Sequence, residues 1–215
     1  HLAAPYGWPL YDNYALAYRV LQRVCGIQRG SQPYSHMKKA ELVLKGYVSE
    51  SRSTQLTSLN IAINGGLAMG HYWKGRLLLE QAKQDHDRCN DYKDAAIASF
   101  CATNVTERFD HLPENADEDA APQLSPPQWL SAIELLRYPD RAVFRVDRRM
   151  VFQTIYQKLT QQVEEVQSDN IQIHNERYRL TKKDVRSNLE RCLDMVKAQF
   201  PDKEPLIQKM IRSIR

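Results

Sequence analysis

The stretch from Arg52 to Arg76 constrains this chain most. Its interior holds one charged side chain, Lys74, and carries Leu56, Leu59, Ile61, Ile63, Leu67, Met69, Tyr72 and Trp73. Elsewhere charges are frequent, at 26% of all residues, so a run this apolar belongs in a core. Its Ser, Thr, Gln and Asn residues make it too polar for a membrane span. Two conformations compete for it. Leu56, Leu59, Ile63 and Leu67 fall at helical spacings, which predicts helices over 53–64 and 67–84, broken at Asn64-Gly65-Gly66. Leu59 to Asn64 also alternates and runs into Asn-Gly, the pattern of a hairpin. The Ala, Met, Leu and Gln content after Leu67 favours the helical reading. No Gly-x-Gly-x-x-Gly or Gly-Lys-Ser/Thr arrangement is present, so these glycines predict turns and close packing instead of a phosphate loop.

Charge divides the 215 residues into three parts. Residues 1–105 carry +4, residues 106–136 carry −6, and residues 137–215 carry +6. The acidic, proline-bearing segment 110–125 is poor in apolar residues and reads as a linker or long surface loop. It separates a helical lobe, 1–109, from a basic, mainly helical lobe, 126–215. The expected fold is mainly α, a multi-helix bundle in two lobes with a small β-hairpin in the second.

The remaining elements follow from caps and stripes. Residues 1–11 form an extended arm whose Tyr6, Trp8 and Tyr11 dock on this protein's own core or on a neighbouring subunit. Helices are expected over 12–25, closed by Gly26, and over 35–45. A helix over 91–109 carries Tyr92, Ala95, Ala96, Ser99, Phe100 and Val105. The run from Tyr92 to Phe100 resembles the second helix of a tetratricopeptide hairpin, in which small residues let antiparallel helices approach. The resemblance covers about ten residues, and a repeat of about 34 residues does not recur. Ser125-Pro126-Pro127-Gln128 is a capping box opening a helix over 126–137. Residues 142–146 read as a short strand. Asp147 caps a helix to Gln167. Residues 171–180 suggest a hairpin around His174-Asn175-Glu176-Arg177. Thr181 and Asp184 box a helix to Gln199, and a last helix runs from 202 to the end.

Catalytic patterns are scarce. His-Glu-x-x-His, Glu-x-x-His and Gly-x-Ser-x-Gly are all missing, so zincin, common di-iron and nucleophile-elbow chemistry lack support. His86-Asp87 matches the metal-binding pair of HD-type phosphohydrolases in form, but lies in the polar run Lys83 to Asn90. Glu107 and His111 are two ligands, too few for a metal site by themselves. No metal or organic cofactor is expected. The four cysteines, Cys25, Cys89, Cys101 and Cys192, are irregularly spaced and read as buried thiols. That suits a reducing intracellular compartment, cytoplasmic or nuclear. One sequon, Asn104-Val105-Thr106, is weak evidence for secretion. The chain opens on His1, which fits N-terminal processing.

The basic residues form two clusters: Arg141, Arg145, Arg148 and Arg149, then Arg177, Arg179, Lys182, Lys183 and Arg186. Both surround predicted helix starts, where free N–H groups and the helix dipole favour phosphate. One reading is therefore a nucleic-acid-binding protein gripping the phosphate backbone of RNA or DNA with Arg145, Arg148, Arg149, Arg177, Arg179, Lys182, Lys183 and Arg186. Neighbouring acids, among them Asp140, Asp147, Glu176 and Asp184, offset about half of each cluster. The other reading, favoured by the aromatic arm and the lack of catalytic motifs, is a non-catalytic helical assembly module. It would associate with itself or with partner proteins.

Overall fold

The computed structural model describes residues 51–141, 143–168 and 181–214. The aromatic arm, the helices expected over 12–25 and 35–45, and the hairpin expected over 171–180 lie outside the described residues. Within them the fold is mainly α, with eight α-helices and no strand. No described helix is long and apolar enough to cross a membrane. The chain divides into two compact units between Thr103 and Asn104.

In the first unit, α1 (Arg52–Asn64) starts where the Ser51 hydroxyl accepts from the Thr54 N–H. It stops at Gly65-Gly66. Gly66 has φ +83°, a left-handed conformation that glycine takes without a Cβ clash. The turn closes through bonds from Gly66 N to Ile63 O (2.8 Å) and Leu67 N to Ala62 O (3.1 Å). Leu59 to Asn64 is thus helical, and the hairpin alternative is excluded. The helix α2 (Ala68–Gln84) follows, then a turn in which Asp85 Oδ1 accepts from Arg88 N, then α3 (Cys89–Cys101).

The two helices α2 and α3 form an antiparallel hairpin. Tyr72 and Gly75, early in α2, meet Phe100, late in α3; the Tyr72 and Phe100 ring centroids are 6.0 Å apart. At Gly75 the Phe100 ring lies against the α2 backbone, in the space a Cβ would take. Leu59, Tyr72, Leu77, Ala96 and Phe100 are buried there. Each such large apolar side chain contributes about 1.5–3 kcal/mol by leaving water.

The helix expected over 91–109 is broken. Asn104 sits at φ +60°, and Thr103 N and Oγ1 both donate to Phe100 O, which closes α3. Asparagine tolerates the left-handed region better than most residues.

The second unit begins with α4 (Val105–Asp110) and centres on α5 (Pro126–Leu135). Gln128 closes the expected capping box, its Oε1 accepting from Ser125 N at 3.0 Å. Every residue from Pro127 to Leu135 is buried, including Ser131 and Glu134. So the Arg52–Arg76 stretch centres only the first unit, and α5 supplies a second core. Around α5 pack α4, α6 (Arg148–Gln167) and α7 (Lys182–Gln199), while α8 (Glu204–Ser213) packs on α7.

The acidic segment 110–125 belongs to this second unit. It holds a short 3-10 turn at Glu118–Ala120 and buries Leu124. Residues 143–147 form no strand. Phe144 and Val146 are buried, but Phe144 packs edge-on against Phe109 at 5.4 Å, and Arg145 N donates to Asp110 Oδ1. Alternation there records burial beside a helix end, with no neighbouring strand among the described residues.

Candidate interaction cleft and the basic residues

The helix pair α6 and α7 decides where the basic clusters lie. Asp147 caps α6, its Oδ1 accepting from Arg149 N at 2.8 Å. Beside that start lies the other end of α7: Arg148 Nη2 donates to Gln199 Oε1 at 2.9 Å. The same Arg148 nitrogen and Gln199 Nε2 both donate to Leu136 O, the carbonyl that ends α5. These bonds hold the start of α6 against the end of α7. Lys182, Lys183 and Arg186 open α7, about 20–25 Å along its axis from Gln199. Among the described residues, the basic side chains of the two clusters therefore lie toward opposite ends of α7.

Within the clusters the side chains differ. Arg148 is half-buried and holds three helices together. Burial pulls its pKa down, and Asp140 partly opposes that. Arg145 is 84% exposed and lies 3.8 Å from Asp110 Oδ2, so the pair adds little stability. Arg186 pairs with Glu190 at 3.1 Å. Lys182 and Lys183 are exposed at a start already occupied by the Thr181–Asp184 box, in which Asp184 Oδ2 accepts from Thr181 N. Both helix starts thus carry a carboxylate of their own. Arg177 and Arg179, like Tyr6, Trp8 and Tyr11, lie outside the described residues.

Sequence reasoning missed a buried ion pair. Glu134, 1% exposed in the last turn of α5, has Arg191 Nε of α7 at 3.2 Å and Arg137 Nη1 at 3.4 Å. Arg191 also donates to Asn188 Oδ1 and Ser187 Oγ. The signal was present, since Glu134 interrupts an otherwise apolar run, but its partner lies far along the chain. The group pins α5 to α7.

Also missed was a cleft of about 640 Å³ in the second unit. One side is the first half of α6, with Arg149, Met150, Phe152, Gln153 and Gln157. Another is the junction of α7 and α8, with Gln199, Phe200, Asp202 and Lys203, and Ala116 and Ala121 of the acidic segment complete the wall. Phe152 and Phe200 stack with centroids 5.1 Å apart and planes at 23°. Lys203 pairs with Asp202 at 3.3 Å. Rings, a thioether and amides dominate this lining. Such a surface binds by shape, stacking and hydrogen bonds.

The cysteines are placed unevenly. Cys192 is buried in α7, and burial pushes its thiol up to about 12. Cys89 and Cys101 are only half-buried, at the two ends of α3, which departs from the buried reading, and Cys25 lies outside the described residues. Among the described residues no group of three or more His, Cys, Asp and Glu is placed to hold a metal ion. Compared with known proteins, the chain matches no family model, no curated protein and no solved structure.

Proposed function

We propose that this chain is a non-catalytic helical interaction module, which associates with partner proteins or with a second copy through its second unit. The observation that carries the reading is the lining of the cleft. Phe152, Phe200 and Met150 give an apolar floor, and Gln153 and Gln157 give neutral amides at its edge. Aromatic residues, Met and Arg are the types that protein interfaces favour. The disposition of the basic residues weighs the same way. A polyanion binds best to cations in a continuous row. Here Arg148 is used internally, Arg186 is paired, and among the described residues the basic side chains lie toward opposite ends of α7.

The test is the behaviour of the full chain on a sizing column, over a wide concentration range, with and without single-stranded RNA or DNA. The module predicts a mass that rises with concentration, or co-elution with a protein partner, and no nucleic acid in the peak at near-physiological salt. Salt-sensitive co-elution with RNA or DNA, lost when Arg149, Lys182 and Lys183 are reversed to Glu, would replace this reading with nucleic-acid binding.

A further inference from the structure

One edge of the cleft is a ladder. Arg149, Gln153 and Gln157 stand four residues apart on α6, and all three line the cleft. Four residues of α-helix rise about 6 Å. Two residues of an extended peptide advance about 6.6 Å. Over the three rungs the two periods drift apart by only about 1 Å, which flexible glutamine arms absorb. Each glutamine amide offers a donor and an acceptor, the pair that a peptide unit presents in return. Among the described residues, neither amide nor the Arg149 guanidinium has a hydrogen-bond or ion-pair partner.

The charges set the polarity of an occupant. Lys203 and Asp202 neutralise each other, which leaves Arg149 as the lining cation without an acid among the described residues. It stands at one end of the ladder, and the rungs beyond it are neutral.

We propose that the cleft binds an extended peptide segment with a carboxylate at one end and apolar side chains at alternate positions after it. The proposal rests on the interaction-module reading and names the chemistry of its partner. The carboxylate meets Arg149, in a charge-assisted contact that a guanidinium makes well. The peptide main chain bonds to Gln153 and Gln157. Alternate side chains of an extended strand point the same way, here toward Met150 and the Phe152–Phe200 stack. A nucleic-acid strand is the poorer fit. It would bring a phosphate to every rung, and two of the three rungs, Gln153 and Gln157, are neutral.

Fluorescence anisotropy with the full chain tests this. The probe is a fluorescein-labelled hexapeptide with Glu first and Phe or Leu at alternate positions. Controls replace Glu by Lys, or bunch the apolar residues together. We expect saturable binding of the probe, weakened about tenfold by either control. Arg149→Glu should reverse the preference between the Glu and Lys peptides. The double variant Gln153→Ala, Gln157→Ala should lose about tenfold while its circular dichroism stays unchanged. These positions are chosen because their side chains make no internal hydrogen bonds among the described residues, whereas Phe152 is buried and stacked on Phe200. Probe binding that ignores Arg149→Glu, or no saturable binding, overturns the proposal. If the chain still associates with protein on the sizing column, the module reading survives that loss. Displacement of the peptide by a short oligothymidylate would overturn both.

Discussion

Replacing Gly75 by Ala should loosen the first unit, although alanine is the better helix former. A Cβ built at Gly75 lies 2.5 Å from Phe100 Cε1, 2.7 Å from Cζ and 2.8 Å from Cδ1. The ring cannot swing aside, because Phe100 is fully buried and faces Tyr72. Helix propensity alone would stabilise the variant by about 1 kcal/mol. Overpacking costs about 1–3 kcal/mol. The balance is a net loss of about 1 kcal/mol. Gly70, five residues earlier in the same helix, is the internal control. Its added Cβ meets Ile63 Cγ1 at 3.0 Å, and Ile63 is only half-buried, so the neighbour can yield. There the propensity gain should prevail or cancel. The assay is native-state hydrogen exchange, followed by mass spectrometry on peptides within 68–101, which reports local opening without assuming that both units melt together. Gly75→Ala should exchange faster than wild type, and Gly70→Ala no faster. Adding Phe100→Leu to Gly75→Ala should recover part of the protection, as expected for two groups in contact. If Gly75→Ala protects the hairpin as well as Gly70→Ala does, the close-approach argument is wrong.

Four further outcomes are expected. Glu134→Ala should destabilise the second unit by about 3–5 kcal/mol in urea, because Arg191 is left without its buried partner; the double variant Glu134→Leu, Arg191→Met should recover most of that. Cys192 should resist alkylation in the folded chain at pH 8 and react once urea unfolds it. Its thiol releases a proton near 9.0 when unfolded and near 12 when folded, so stability falls as pH rises through that window, and Cys192→Val should flatten the fall. Burial and then Lys74 lower the pKa of His71 below its ordinary 6.5, so the unfolded chain takes the proton first; stability should fall as pH drops below about 6.5, less steeply in His71→Gln. Thr181→Ala should cost about 1 kcal/mol by opening the capping box of α7, read as a shift in the urea midpoint.

Features that depend on four or five neighbouring residues were legible in the sequence alone. Ser125 with Gln128, Asp147, and Thr181 with Asp184 announced three helix starts, because a cap bonds to its own first turn. Gly65-Gly66 announced a break, since Gly66 takes a backbone angle that other residues resist. The mainly helical class followed from the spacing of apolar residues.

Tertiary structure decided the rest. Residues 143–146 alternate like a strand, yet a strand needs a partner, and Phe144 found the ring of Phe109 instead. The start of α4 turned on one asparagine at φ +60°, a conformation that its identity permits but does not demand. Arg148 and Arg149 are adjacent and read alike, but only the fold sends the first to the Leu136 carbonyl and leaves the second at the cleft. The cleft itself, like the Glu134–Arg191 pair, joins residues remote in the chain. No local pattern encodes which remote surfaces meet. That choice belongs to the summed burial of helix faces, in which each residue contributes little and no single one names its partner.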